Sequence, residues 1–352
     1  GKREKIARLY RYLYDNTRYV SIQLGIGGYQ PATAMEVASQ GFGDCKGLSN
    51  LMVSLLNEAG IPAFYAVIST KYTDLWEHFP SMNQMNHAIV GVPIEKDTLW
   101  LECTNARYPL GYVHEDIAGH QAVVISAEGG KVVRLPRYAD ADNRQVSRLR
   151  IVLSKDGSAQ VKADIDKTNR QYEDLLPAIY GDDKIKQKAV LDQVSLPAAQ
   201  ITSLRMNAEK DKPLIRTSFE AKSGRFANVT GKRLFVAWNP VKASFSTLKW
   251  DDNRTSPFFL DYGYQDEEDI VFVMPEGYRV ENIPTGMNLD NQFVNFAADV
   301  KVEGNEIHVK QRISLHQGEF PAKDYQEWVD VKNQIARYYK KQIVIIIDEK
   351  GI

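Results

Sequence analysis

The chain has 352 residues, 43% of them hydrophobic and 25% charged, with 44 basic against 45 acidic side chains and a formal net charge of −1. That length holds roughly two or three domains of usual size, and the composition is that of a globular protein rather than a disordered one. The balanced charge, without a long run of one sign, speaks against a nucleic-acid or anionic-membrane surface, and the longest aliphatic run, Ile343 to Ile347, is far too short to span a bilayer.

Residues 3–17 read as an amphipathic helix whose apolar stripe is Ile6, Leu9, Tyr10, Leu13 and Tyr14. No signal peptide precedes it, and we read the chain as a piece of a longer protein. Tyr19 to Leu24 is a short extended run, ended by Gly25, Gly27, Gly28 and Pro31. No G-K-[ST] follows this cluster, so it is not a phosphate loop; it lets backbone pass close to another group, such as a substrate. Thr33 to Glu36 fits a capping box for a brief helix ending near Gly41.

The next stretch, Gly43-Asp44-Cys45-Lys46-Gly47-Leu48, organises the chain. Asp44 is a good N-cap, and Leu48, Leu51, Met52, Leu55, Leu56 and Ala59 recur on one helical face before Gly60 and Pro62 stop it. Cys45 therefore sits on the first turn of a buried helix, where the dipole favours negative charge. A buried core thiol is the plainer reading of a lone cysteine, and residues further along the chain decide against it.

Ala63 to Ser69 reads as a buried strand. Residues 70–85 have no period but carry Trp76, His78, Phe79, Met82 and Met85, as a packed surface loop or one wall of a cleft would. His87 to Val92 and Thr98 to Cys103 are strands joined by a turn near Lys96, and Gln121 to Ser126 pairs with Lys131 to Leu135 as a hairpin. Helices followed by antiparallel strands are an α+β signature. After about residue 140 short alternating strands dominate, with helices near Asp183 to Val194 and Ala322 to Lys340, and Gln342 to Ile347 is expected to lie centrally paired. The expected division is 1–140, a catalytic core; 141–255, β-rich with one helix; and 256–352, β-rich with a long helix, the last two alternatively forming one unit. A break near Asp251 to Arg254 marks that second boundary.

A cysteine nucleophile needs a base within reach, and the base needs an orienting partner. The chain supplies Cys45 on a helix N-terminus, His87 heading a strand and Glu102 on the next strand. In that arrangement Cys45 attacks, His87 takes its proton and Glu102 fixes the tautomer. Cys45 and Cys103 would permit one disulfide, which would consume the nucleophile. His114, His120, His308 and His316 show no metal-ligand spacing and there is no Cys-x-x-Cys, so neither a metal nor a cofactor is expected. The backbone N–H of Cys45 belongs in the oxyanion hole, with Gln23, Tyr29 or Gln30 as side-chain donors. Asp44, Trp76 and Asn86 complete the residues expected around the cleft, and Trp100 is a further candidate to frame it.

Gly43-Asp44-Cys45, Asn86-His87-Ala88 and Trp100-Leu101-Glu102-Cys103-Thr104 resemble the three core motifs of the transglutaminase-like superfamily, and Tyr19-Val20, Tyr29-Gln30-Pro31 and Ala59-Gly60-Ile61-Pro62-Ala63 resemble it too. The likeness covers residues 3–135. It implies a papain-like fold with Cys45, His87 and Glu102 as the triad, Glu102 departing from the family's usual aspartate. It also implies a bacterial periplasmic or cell-envelope setting, because the β-rich, sandwich-like remainder resembles extensions of large envelope proteins that carry this core. The leading function is thioester formation on a peptide, protein or cell-wall-type amide, with hydrolysis favoured. Transfer to an amine is one alternative, and a non-catalytic peptide- or glycan-binding scaffold is another. The oligomeric state stays open.

Overall fold

The computed structural model describes residues 1–22, 24–105, 107–242, 245–249 and 254–348. The chain divides into two units, Gly1–Tyr138 with Lys210–Pro213, and Ala139–Glu209 with Leu214–Ile352. Helices and antiparallel sheets make the first an α+β core, and the second is β-rich.

The first unit begins with α1 (Lys2–Asn16), which buries Ile6, Tyr10 and Leu13. Among the described residues of the expected extended run only β1 (Arg18–Tyr19) is a strand, and Gly25–Gly28 form a 3-10 turn. In α2 (Ala34–Gln40) the capping box is present. The Thr33 hydroxyl oxygen accepts the Glu36 N–H, the Glu36 carboxylate accepts the Thr33 N–H, and Gly41 closes the helix at φ +70°. Such a left-handed stop suits a residue without Cβ. Then come β2 (Phe42–Gly43), parallel to β1, and α3 (Cys45–Glu58).

The rest of this unit is a five-stranded antiparallel sheet. Its strands are β3 (Phe64–Ile68), β4 (His87–Ile94), β5 (Asp97–Leu101), β6 (Gln121–Ser126) and β7 (Gly129–Arg134), in the order β5-β4-β3-β6-β7. Period-two alternation gives the sheet two apolar faces. Val90, Val92 and Leu101 pack with Ile6, Leu13, Leu48, Met52 and Leu56 from the helices. Ile68, Ile89 and Trp100 pack with Val113, Ile117 and Leu135. Gly91 is opposite Phe64, and a Cβ at Gly91 would lie 2.0 Å from the Phe64 ring. The absent side chain lets that ring cover the strand and meet Trp100 edge-on at 5.8 Å. Trp100 is thus a core residue, 6% exposed, and does not frame a cleft.

The second unit has β8 (Arg144–Leu153), β9 (Ala159–Thr168), α4 (Arg170–Ile179), α5 (Asp183–Leu191), β10 (Ala199–Ala208), β11 (Leu214–Ser223), β12 (Ala227–Thr230), β13 (Arg233–Ala237), β14 (Phe258–Leu260), β15 (Tyr264–Val273), β16 (Tyr278–Asn282), β17 (Met287–Asp290), β18 (Val294–Glu303), β19 (Glu306–Leu315), β20 (Gly318–Phe320), α6 (Tyr325–Tyr339) and β21 (Gln342–Ile347). An eight-stranded sheet runs β10-β11-β9-β8-β15-β19-β18-β17, and a four-stranded one β12-β13-β21-β16. β15 pairs in parallel with β8, so strands from either side of residue 255 share one sheet and the second unit is not split there. The expected break at 251–253 lies outside the described residues. Where the sequence predicts one helix within 141–255, the described residues there hold two: α4 is added, and it contains Pro177, which reads in sequence as a breaker. β21 lies inside its sheet, between β13 and β16.

Candidate active site

Asp44 ends extended chain (φ −83°, ψ −174°), and its Oδ1 accepts the Gly47 N–H at 2.9 Å. Its other carboxylate oxygen pairs with Lys46. With both oxygens engaged and 3% exposure, Asp44 is a helix cap and makes Cys45 the first residue of α3. His87 is the first residue of β4, opposite Ile68 of β3. The strand expected to carry Glu102 and Cys103 ends earlier, at Leu101. Glu102 leaves the ladder there, which frees its side chain to turn toward the head of β4.

The side chains converge. Glu102 Oε2 lies 2.7 Å from His87 Nε2. The Cys45 sulfur interacts with the same ring and favours its charged form. The second Glu102 oxygen, Oε1, accepts from the Thr104 N–H at 2.8 Å and from the Thr104 hydroxyl at 2.6 Å. Two contacts between elements hold the frame: Tyr10 of α1 donates to the Glu102 carbonyl oxygen at 2.6 Å, and Ser49 of α3 to the Ala88 carbonyl oxygen at 3.1 Å.

Charge follows from this geometry. Burial works against a charged His87, yet the Glu102 carboxylate, the interaction with Cys45 and the hydrogen bond that Glu102 accepts from the ring outweigh it and raise the imidazole to about 10. Burial would likewise raise the Glu102 carboxyl, but His87 and the hydrogen bond from His114 hold it well below the usual carboxylate range. Cys103 is different: burial and the neighbouring Glu102 charge push its thiol well up. Both cysteines are free.

His114 has no ligand spacing to another histidine, so sequence does not single it out. The structure places it beside His87 and Glu102, with Nε2 3.1 Å from Glu102 Oε2. The nitrogen and oxygen atoms of His87, Glu102 and His114 lie within 4.8 Å of one another, and both imidazoles direct Nε2 at one carboxylate oxygen as hydrogen-bond donors. The described residues between 102 and 120 contain no helix or strand, so no periodicity announces this approach.

Of the outer candidates, Gln23 lies outside the described residues. Tyr29 is 69% exposed and Gln30 is exposed. Their segment is pinned at its two ends near the start of α3: the Val20 N–H donates to the Gly43 carbonyl oxygen at 2.9 Å, and Asn50 Nδ2 to that of Ala32 at 3.0 Å. Asn86 holds a loop rather than facing a cleft. Its Oδ1 accepts the Thr70 N–H and its Nδ2 donates to the Thr70 hydroxyl, each at 2.8 Å. That loop, leaving β3 and returning at His87, exposes Tyr72, Trp76, Phe79 and Met82.

Residues 1–104 match the family model of the Transglutaminase-like superfamily. Residues 232–345 match a family described as a Domain of Unknown Function with solved-structure structure (DUF3858). Among solved structures, the chain is similar to a crystal structure from Parabacteroides distasonis ATCC 8503 described as a "putative protease". Identity is 14%, the TM-score is 0.56, and the match covers 99% of this chain. The chain spans about half of that protein, 52% of its length. No curated protein matches. No described helix is long and apolar enough to cross a membrane.

Proposed function

We propose that the protein is a cysteine-dependent amide hydrolase acting on peptide or cell-wall-type substrates through a thioester, with Cys45, His87 and Glu102 as its catalytic residues. The observation that carries the reading is that the one His87 ring meets Glu102 Oε2 at 2.7 Å and interacts with Cys45. In this mechanism His87 holds the proton and Cys45 Sγ bonds to the substrate carbonyl carbon. The C–N bond then breaks, His87 gives that proton to the departing amine, and a thioester remains. Water attacks the thioester as His87 takes its proton, the C–S bond breaks to release the carboxylic acid, and Cys45 and His87 return to their starting state. Glu102 keeps the ring oriented and stabilises the imidazolium. Negative charge on the substrate oxygen is met by the α3 N-terminus, including the Cys45 N–H.

The match of residues 1–104 to the superfamily model and the likeness to a protein described as a "putative protease" support the reading. The exposed aromatic side chains on the segments pinned beside Cys45 and His87 suit an extended peptide with apolar groups. The setting we propose is the bacterial cell envelope, on the strength of the motif likeness. The test is a panel of peptides and cell-wall fragments, with a fluorescent alkyl amine present, offered to the wild-type chain and Cys45→Ala. Expected is amide cleavage lost in Cys45→Ala. Amine incorporation in place of cleavage turns the reading to acyl transfer, and neither product leaves a scaffold.

A further inference from the structure

Glu102 receives two imidazoles through one atom. His87 reaches Oε2 at 2.7 Å and His114 reaches it at 3.1 Å, both by Nε2, while Thr104 fills Oε1 twice. The proposed thiol chemistry uses only the first of these four hydrogen bonds. His114 is 8% exposed. Its ring stacks on Tyr108 with centroids 5.4 Å apart, and it meets the His87 ring edge-on at 6.4 Å. The other nitrogen, Nδ1, lies 3.9 Å from Asp116 Oδ2.

We propose that His114 is a positioning residue that shares the Glu102 carboxylate with His87 and so weakens the hold of Glu102 on the His87 proton. The inference rests on the proposed function only in taking that proton to be the one delivered to the leaving amine. His87 must both accept a proton and surrender it. A carboxylate buried to 4% exposure has little water to temper its charge, and an imidazolium held too firmly is a poor general acid. A second N–H on the same oxygen draws off part of that charge. Orientation does not depend on it, because the two Thr104 bonds fix the carboxylate from the other side. Loss of the His114 donor therefore acts mainly through charge and raises the proton affinity of His87.

The other groups facing this cluster are Cys45 from α3, Asp116 beside His114, and Tyr65 of β3 and Cys103, which interact electrostatically with Cys45 and Glu102 respectively. Lys46 is paired with Asp44.

The test reads the His87 ring by imidazole NMR in the full-length chain, in a Cys45→Ala background so that the thiol proton does not mix with the titration. His114→Phe keeps the stack on Tyr108 and removes the donor; His114→Gln keeps a donor. Expected is a His87 midpoint higher by roughly half to one pH unit in His114→Phe, largely restored in His114→Gln. An unchanged or lower midpoint in His114→Phe, or a glutamine variant that behaves like the phenylalanine one, overturns the proposal and leaves His114 as packing. Should His114→Phe not fold, the wild-type chain still decides: two exchange-protected imidazole protons are expected, one from each ring on Glu102, and a single one from His87 overturns it. Because no substrate enters the measurement, its outcome is separate from whether the chain cleaves amides.

Discussion

The Ser49 hydroxyl donates to the Ala88 carbonyl oxygen at 3.1 Å, so the helix that begins at Cys45 is tied to the strand that begins at His87 one residue beyond that histidine. Ser49 has no exposure, and Ser49→Ala leaves a buried carbonyl oxygen short of a donor. The expected loss is about 1–2 kcal/mol, read as weaker hydrogen-exchange protection of α3 and β4 amides. Alkylation of Cys45 by iodoacetamide should slow in parallel, because the thiol and the ring lose their common tie. Wild-type protection in Ser49→Ala would remove this bond from the account of the site.

Cys45 and Cys103 are 5% and 4% exposed, so exposure alone does not separate them. Cys45 interacts with His87 at a helix N-terminus, whereas burial and then the neighbouring carboxylate disfavour a thiolate at Cys103. Iodoacetamide near pH 6.5 should modify Cys45 at least about tenfold faster than Cys103, as mapped by peptide mass spectrometry. His87→Ala should erase most of that difference, and Glu102→Gln should reduce it less, since an amide can still hold the ring. Equal labelling in the wild-type chain would leave Cys45 a structural residue.

Local chemistry explains which parts of this structure are legible in sequence. The Thr33–Glu36 box, the Asp44 cap and the Gly41 stop are each set by a few neighbouring atoms, and β21 is betrayed by its unbroken aliphatic run. The order of Cys45, His87 and Glu102 along helix, strand and strand end points to their meeting. What sequence withholds depends on distant packing. β10 is largely exposed, with Ser203 and Asn207 among its outward residues, so its alternation is faint. α4 follows Asn169 at φ +48° and holds Pro177, both signs of a turn. His114 reaches Glu102 along irregular chain that follows no periodicity.

Stability at alkaline pH should report the His87–Glu102 pair. His87 is raised in the folded chain to about 10, so its stabilisation is full below its unfolded value of about 6.5 and is lost as pH rises through about 10. Glu102 is depressed, so its share is present above an unfolded value of about 4.3 and is lost as pH falls through the folded one. The two describe one interaction, counted once. Amide protection in α3 and β4 should fall by roughly 2–4 kcal/mol between about pH 7 and pH 10.5, and Glu102→Gln should flatten that fall. An equally steep fall in Glu102→Gln would assign it to other groups.

The second unit holds the opposite case. Burial raises Glu268 of β15 to about 8, with Asp266 on the same strand adding to the rise and a hydrogen bond from Asn239 opposing it. Asp266 itself is raised by burial to about 6. A carboxyl whose folded value lies above its unfolded one stabilises the fold while it stays protonated. The stability is full below about pH 4 and is lost as pH rises through about 8, where folding must carry a buried charge. Glu268→Gln removes that charge, and it keeps an oxygen for the Asn239 amide donor. Protection of the β15 and β19 amides at pH 9 should then increase by roughly 3 kcal/mol over wild type, while at pH 4 the two chains should differ by less than about 1 kcal/mol. A variant that gains nothing at pH 9 would mean that Glu268 ionises inside the sheet without penalty, its charge met by groups other than Asn239.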